Sequence, residues 1–219
     1  MHRPARLFWD SNVPLLQPKC LDDEAKTALL SLANRCHARG WALATSGNFS
    51  ARIDGESFAI TATGRCKGTL AEVDLLTVDL AGNPLSVGRP SAETPLHAQI
   101  YRRRPDAGAV AHTHSMPATV LSRALAAEGA LVLTGYEMAK ALAGVTSHEA
   151  TIRLPIFPND QDVHRLAAKI DDSIGDDDRV HGYLLEGHGL YTWGRDIAEA
   201  SRHLEAIEFL LQCVLHARR

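Results

Sequence analysis

Ala111-His112-Thr113-His114-Ser115 stands between an apolar run, Ala109-Val110-Ala111, and a segment started by proline, Pro117-Ala118-Thr119-Val120-Leu121. The apolar run reads as a strand and the second segment as a helix, so the two histidines fall at a strand end. Side chains alternate faces along a strand, and histidines two residues apart therefore point the same way and can grip one cation together. Neutral imidazole is the commonest ligand for zinc-like cations, and a catalytic zinc usually takes three protein ligands and keeps a fourth position open. The same spacing also suits a hydrogen-bonded surface pair. A third donor has to be found before the motif means metal.

The composition surrounding this stretch narrows the field. With 45% hydrophobic and 22% charged residues, the 219-residue chain reads as a globular protein of one large domain or two small ones. It holds no apolar run of the length that crosses a bilayer, so no membrane partner is expected. Met1 to Asp10 carries two arginines without an apolar block behind them, which does not read as a secretory signal and points to the cytoplasm. Cys20, Cys36, Cys66 and Cys213 show no Cys-x-x-Cys spacing, against a disulfide framework and against a thiolate zinc site. A net charge of -3 without a large basic face argues against nucleic acid.

Upstream of the histidines, Asp22 to Arg39 repeats apolar residues at three- and four-residue steps, opens on acids and closes at Gly40, which predicts an amphipathic helix. Phe49, Ala51 and Ile53 alternate up to Asp54-Gly55, and Phe58 to Thr61 follows, which predicts a hairpin. Small-residue loops bracket it: Ser46-Gly47-Asn48 before, and Thr63-Gly64-Arg65-Cys66-Lys67-Gly68 after. Hydroxyls, N–H groups near glycine and a lysine are the ingredients of a phosphate cradle, and equally of plain turns. Leu75 to Leu80 reads as a strand. Ser91-Ala92-Glu93-Thr94-Pro95 reads as a helix entry leading to Arg103, with Glu93 and His97 on one face if the helix extends back that far.

Downstream, Pro117 to Ala127 is helical by pattern, Ala130 to Leu133 a short strand, Tyr136 to Ala143 a short helix and Glu149 to Phe157 a strand. Asp160 to Ile174 is predicted helical, Asp176-Asp177-Asp178 a solvated loop, and Asp196 to Ala217 a long helix burying Ala200, His203, Leu204, Ile207, Leu210, Leu211 and Val214. Between the last two helices, Tyr183-Leu184-Leu185-Glu186-Gly187-His188-Gly189-Leu190-Tyr191-Thr192-Trp193-Gly194 places a histidine between glycines at the junction of two strands. His188 is the next candidate ligand, with a structural or solvent-facing role as the alternative.

Taken together, Ser46-Gly47-Asn48-Phe49-Ser50, Pro90-Ser91-Ala92-Glu93-Thr94, His112-Thr113-His114-Ser115, Gly135-Tyr136-Glu137-Met138 and Gly187 to Gly194 resemble the class II aldolase/adducin-like family, from about Gly40 to the end of the long helix. His-Thr-His-Ser with a later Gly-His-Gly marks that family. Gly-Tyr-Glu-Met and Leu-Tyr-Thr-Trp-Gly are similar to its dehydratase branch. The resemblance implies one α/β domain over 1–219, with 1–20 as an N-terminal extension, in three α/β/α layers around a mostly antiparallel sheet. It also implies a homo-oligomer, a tetramer.

By the same resemblance His112, His114 and His188 match the ligands of one Zn2+ per subunit, and Glu137 matches the general acid/base. Glu93 falls where related sugar-phosphate aldolases carry an acid/base or metal-contacting glutamate, and Ser46, Asn48, Thr63, Gly64 and Lys67 correspond to the phosphate-holding loops. The implied reaction is the dehydration of 5-methylthioribulose 1-phosphate to 2,3-diketo-5-methylthiopentyl 1-phosphate, a lyase step of methionine salvage. Two other readings fit the pattern. One is an aldolase or epimerase of phosphorylated ketoses, which the lack of a tyrosine after Tyr191 disfavours; the other is a non-catalytic adducin-like module, which an intact histidine set disfavours.

Overall fold

A computed structural model of the chain describes residues 19–175 and 180–218. The start of the chain, read above for a leader and an extension, and the Asp176-Asp177-Asp178 loop lie outside the described residues.

The first helix, α1 (Asp23–Ala38), begins where the Asp22 carboxylate accepts the Ala25 N–H, and acids in its first turn favour the positive end of the helix dipole. β1 (Asn48–Arg52) and β2 (Ser57–Thr61) form the expected hairpin, whose turn is held by Asp54 accepting from the Ser57 N–H and hydroxyl at 2.9 Å. β3 (Leu75–Asp79) pairs with β2, and α2 (Thr94–Arg103) leads into β4 (Ala109–Thr113), which carries His112. α3 (Met116–Ala124) starts on the Ser115 side chain as N-cap. β5 (Ala130–Leu133), a 3-10 turn (Glu137–Ala141), β6 (Ile152–Phe157), α4 (Val163–Ser173), β7 (Gly182–Leu185), β8 (Gly189–Gly194) and α5 (Ile197–Ala217) complete the order.

The eight strands form one sheet in the order β3-β2-β1-β4-β8-β7-β6-β5, and every pairing is antiparallel except β6 with β7. Helices α1, α3 and α5 cover one face through Leu29, Leu121 and Leu204, which pack with Phe49, Ala111 and Leu190. Helices α2 and α4 cover the other through Leu96, Ile100, Leu166 and Ile170, which pack with Phe58, Val110, Tyr191 and Trp193. Successive strand residues thus serve opposite cores, as the period of two requires. The result is the expected three-layer α/β/α arrangement on a mostly antiparallel sheet.

Several boundaries differ from the sequence reading. Pro95 lies in the first turn of α2, and the helix starts at Thr94, so Glu93 is its N-cap residue rather than a helical neighbour of His97. The short helix expected over Tyr136 to Ala143 is a 3-10 turn over Glu137–Ala141, and the strand drawn from Glu149 begins at Ile152. Helix α4 begins at Val163 because Asp162 caps it, its carboxylate accepting the Arg165 N–H at 3.0 Å. Among the described residues no helix is long and apolar enough to cross a membrane.

Candidate metal centre

The pairing of β4 with β8 sets His112 opposite Tyr191 and Thr113 opposite Leu190. The turn between β7 and β8 then delivers His188 to the same end of the sheet. Gly187 takes the left-handed conformation there (φ 62°), and its N–H donates to the Ser122 hydroxyl at 3.0 Å. At Gly189 a Cβ would stand 2.0 Å from the Thr113 carbonyl oxygen, so only glycine lets β8 close against the strand end. Both glycines flanking His188 are therefore required by the backbone.

The three imidazoles converge on one point. His112 Nε2 lies 2.8 Å from His114 Nε2, and His188 Nε2 lies 3.1 Å from His114 Nε2. Three ring nitrogens this close can share one cation, each turning a lone pair to it. His112 donates its Nδ1–H to the Leu190 carbonyl at 3.0 Å, which fixes the tautomer and leaves Nε2 as a lone pair. The ring is fully buried and stacks on Tyr191 with centroids 3.9 Å apart. Burial, then the neighbouring His112 and His188, push the His114 pKa down to about 3, so its ring is neutral at physiological pH. A neutral ring is the ligating form.

Glu93 closes the cluster. Its Oε1 is 3.0 Å from His188 Nε2, its Oε2 3.3 Å from His112 Nε2, and the Asn48 side-chain amide donates to Oε2 at 2.6 Å. Burial alone would raise its pKa, but the two histidines outweigh it and hold the carboxyl well below the usual range. Glu93, His112, His114 and His188 thus present one donor atom each within 4.8 Å of one another, a set suited to a divalent cation of the zinc type. The sequence alone offers Glu93 as a helix-entry residue with a second role left open; the structure brings it to the histidines.

Glu93, His114 and His188 line a cavity of about 340 Å³, with His112 buried behind them. Ser46, Asn48, Thr63, Gly64 and Lys67 all line it, so the sequence-predicted phosphate loops and the histidines share one pocket. Lys67 is buried and donates to the Thr45 carbonyl at 3.0 Å and to that of Arg65 at 2.8 Å, which spends two of its three N–H groups on tying the loops together. The Ser46 hydroxyl donates to the Leu43 carbonyl at 2.7 Å. Asn159, Asp160 and Gln161 also line the cavity, polar residues that the sequence offered no reason to single out.

Glu137 is not in this pocket. Its side chain is 70% exposed, it forms an ion pair with Lys140, and it lies 3.8 Å from His148 Nδ1. The Lys140 hydrogen bond lowers its pKa. Beside it, Met138 lines a separate groove with Trp41 and Phe209.

Comparison with known proteins bears on this site. A family model described as the class II aldolase and adducin N-terminal domain matches residues 27–215. The chain is 56% identical over 189 residues to a protein of Sorangium cellulosum (strain So ce56) named methylthioribulose-1-phosphate dehydratase, covering 85% of this chain and 89% of that one. It is 50% identical over 198 residues to a protein of the same name from Serratia proteamaculans (strain 568), covering 90% and 97%. Among solved structures, the l-fuculose-1-phosphate aldolase of Thermus thermophilus superposes with a TM-score of 0.72 at 28% identity, covering 89% of this chain and 95% of that one.

Proposed function

The chain belongs to the class II aldolase and adducin N-terminal domain family, and from that premise we propose that its pocket dehydrates 5-methylthioribulose 1-phosphate to 2,3-diketo-5-methylthiopentyl 1-phosphate. The protein is a lyase of the hydro-lyase kind, and methionine salvage is the route that follows from such an activity. The observation that carries the reading is the convergence of His112, His114, His188 and Glu93 beside a cavity that the small-residue loops also line. A non-catalytic module has no need of three imidazoles and a carboxylate aimed at one point.

Our reading assigns zinc to the three histidines, one ion per subunit. When bound, the ion supplies Lewis acidity that makes the C3–H beside the C2 ketone acidic enough to remove. The residues of the chain do the rest. Thr63, Gly64 and Lys67, with Ser46 and Asn48, hold the phosphate and fix the sugar's orientation in the cavity. The C3–H bond breaks towards a base, the C4–O bond breaks with its oxygen leaving as water, and the enol so formed tautomerises to the 2,3-diketone. Glu137 supplies the proton transfer at the C4 hydroxyl.

Glu137 lies outside its own chain's pocket, so we assign it to the pocket of a neighbouring copy in a homo-oligomer, a tetramer of the kind expected from the sequence. Its exposure supports this, as does the half-exposed Met138 and Phe209 groove beside it. Covering by a partner would also raise the pKa of a carboxylate that is too acidic to protonate a leaving group when exposed. A cytoplasmic location is part of the same reading.

Product analysis by mass spectrometry tests the reaction. Zinc-loaded protein incubated with 5-methylthioribulose 1-phosphate should give a metal-dependent product lighter by one water. Cleavage into two carbon fragments would instead make the protein an aldolase.

A further inference from the structure

Behind Glu93 runs a line of buried polar side chains, of which only Asn48 has a task in the proposed reaction. Tyr101 OH lies 2.8 Å from Ser50 Oγ, Ser50 Oγ lies 2.7 Å from His97 Nδ1, and His97 Nε2 lies 2.5 Å from Asn48 Oδ1. Asn48 Nδ2 then reaches Glu93 Oε2 at 2.6 Å. Ser50 and His97 are fully inaccessible, and Tyr101 and Asn48 are nearly so. All four come from β1 and α2, on the sheet face that carries His112.

Chemistry fixes the direction of every bond in this line. A carboxylate accepts only, so Asn48 must turn its NH2 to Glu93 and its carbonyl to His97. A carbonyl also accepts only, so His97 must carry its proton on Nε2. Burial keeps the ring neutral, with its pKa lowered to about 3, and a neutral ring protonated on Nε2 has a lone pair on Nδ1. The Ser50 hydroxyl must then donate to Nδ1 and accept from the Tyr101 hydroxyl. The opposite polarity would set the Asn48 oxygen against a Glu93 oxygen at hydrogen-bond distance.

We infer that His97 is a positioning residue for the metal centre: through the Asn48 amide it holds the Glu93 carboxylate against the histidine triad, and Ser50 and Tyr101 lock the tautomer it needs. The inference rests on the reading of His112, His114 and His188 as zinc ligands, with Glu93 facing the ion. It also gives Asn48 a second task beside the phosphate loops, since one of its N–H groups is committed to Glu93.

The first test reads the tautomer. Nitrogen-15 spectra of the imidazole rings in the whole, metal-free protein should show His97 with a protonated, pyrrole-type Nε2 and a pyridine-type Nδ1. A protonated Nδ1 overturns the proposal whether or not the protein dehydrates its substrate. The second test is zinc affinity by chelator competition. His97→Leu should weaken zinc binding about 10- to 100-fold, the usual cost of losing a group that supports a ligand. His97→Gln, which keeps an N–H donor near the Nε2 position, should recover most of it at equal thermal stability. Parental zinc affinity in His97→Leu, or equal losses in both variants, would reduce His97 to a packing residue.

Discussion

Glu93 and Glu137 are assigned to the same reaction and live in opposite surroundings. Glu93 is enclosed: two histidines and an amide surround its carboxylate, and the amide is itself held by His97. Glu137 rides on a 3-10 turn with its side chain largely in water, paired with Lys140 and near His148. On the proposed reading the electrophilic half of the site is held within one chain, while the proton-transfer half is completed by a neighbouring copy. Evolution of such a site can alter the second half by changing the surface or the assembly without disturbing the first.

Removing a ligand from the enclosed half should have the largest effect. His188→Ala deletes one of three converging nitrogens, and zinc content by atomic emission should fall from about one per subunit towards zero, with turnover lost. Equal zinc content in variant and parent would remove His188 from the ligand set. On the other half, Glu137→Gln should lower kcat by roughly 10²- to 10⁴-fold, the usual worth of general acid/base help, and leave zinc content unchanged. Mixing the two inactive proteins under conditions that exchange subunits sharpens the comparison. Activity should reappear, because a hybrid contains one intact metal site beside one intact Glu137. Failure to complement, with subunit exchange verified, would place Glu137 and the metal site in the same chain's reaction.

The two halves should also differ in their response to acid. His97 and His114 have pKa values pushed down to about 3 by burial, against about 6.5 when unfolded. Below pH 6.5 the unfolded chain therefore takes up protons that the folded chain refuses, and unfolding is progressively favoured down to about pH 3. The stability of metal-free protein should be greatest above pH 6.5 and fall by a few kcal/mol on the way down, as read by denaturant titration at several pH values. Glu137, exposed and screened, should contribute little to that slope. A flat profile between pH 7 and 5 would mean that the buried rings are already solvated.

Most of the enclosed half was legible in the sequence for a physical reason. The period of two at His112 and His114 and the glycines flanking His188 are local signals that mark the three as candidates, and the family resemblance joins them into one ligand set. Glu93 was only half legible, because the placement of Pro95 decides whether it is a helical residue or a cap, and only the cap position turns it towards the histidines. Asn159 to Gln161 carry no local signal at all, since they meet the pocket through the packing of α4 against α2. The turn carrying Glu137 reads only as a short helix in the sequence, because so few residues do not tell a 3.6-residue period from a period of three.

The smallest effect tests how firmly the enclosed half is held. Ala44 is the only non-glycine residue at positive φ among the described residues (φ 54°), and it lies just before the Thr45 to Asn48 loop. An L-residue there carries strain of about 1 kcal/mol, which the loop's other ties sustain: the Leu43 carbonyl accepts from Ser46 twice, and Lys67 holds the Thr45 carbonyl. Ala44→Gly relieves that strain but loosens the unfolded chain, and the second effect offsets about 0.4–1 kcal/mol of the first. The net change should therefore be a stabilisation well under about 1 kcal/mol, seen as a shift in Tm of a few degrees at most. Zinc affinity should not move, because the histidines and Glu93 are fixed by the sheet and by Asn48 rather than by this turn. If Ala44→Gly weakens zinc binding or raises KM while stability holds, the strained turn is itself part of what presses the loop onto the pocket, and the enclosed half extends one turn further than its hydrogen bonds indicate.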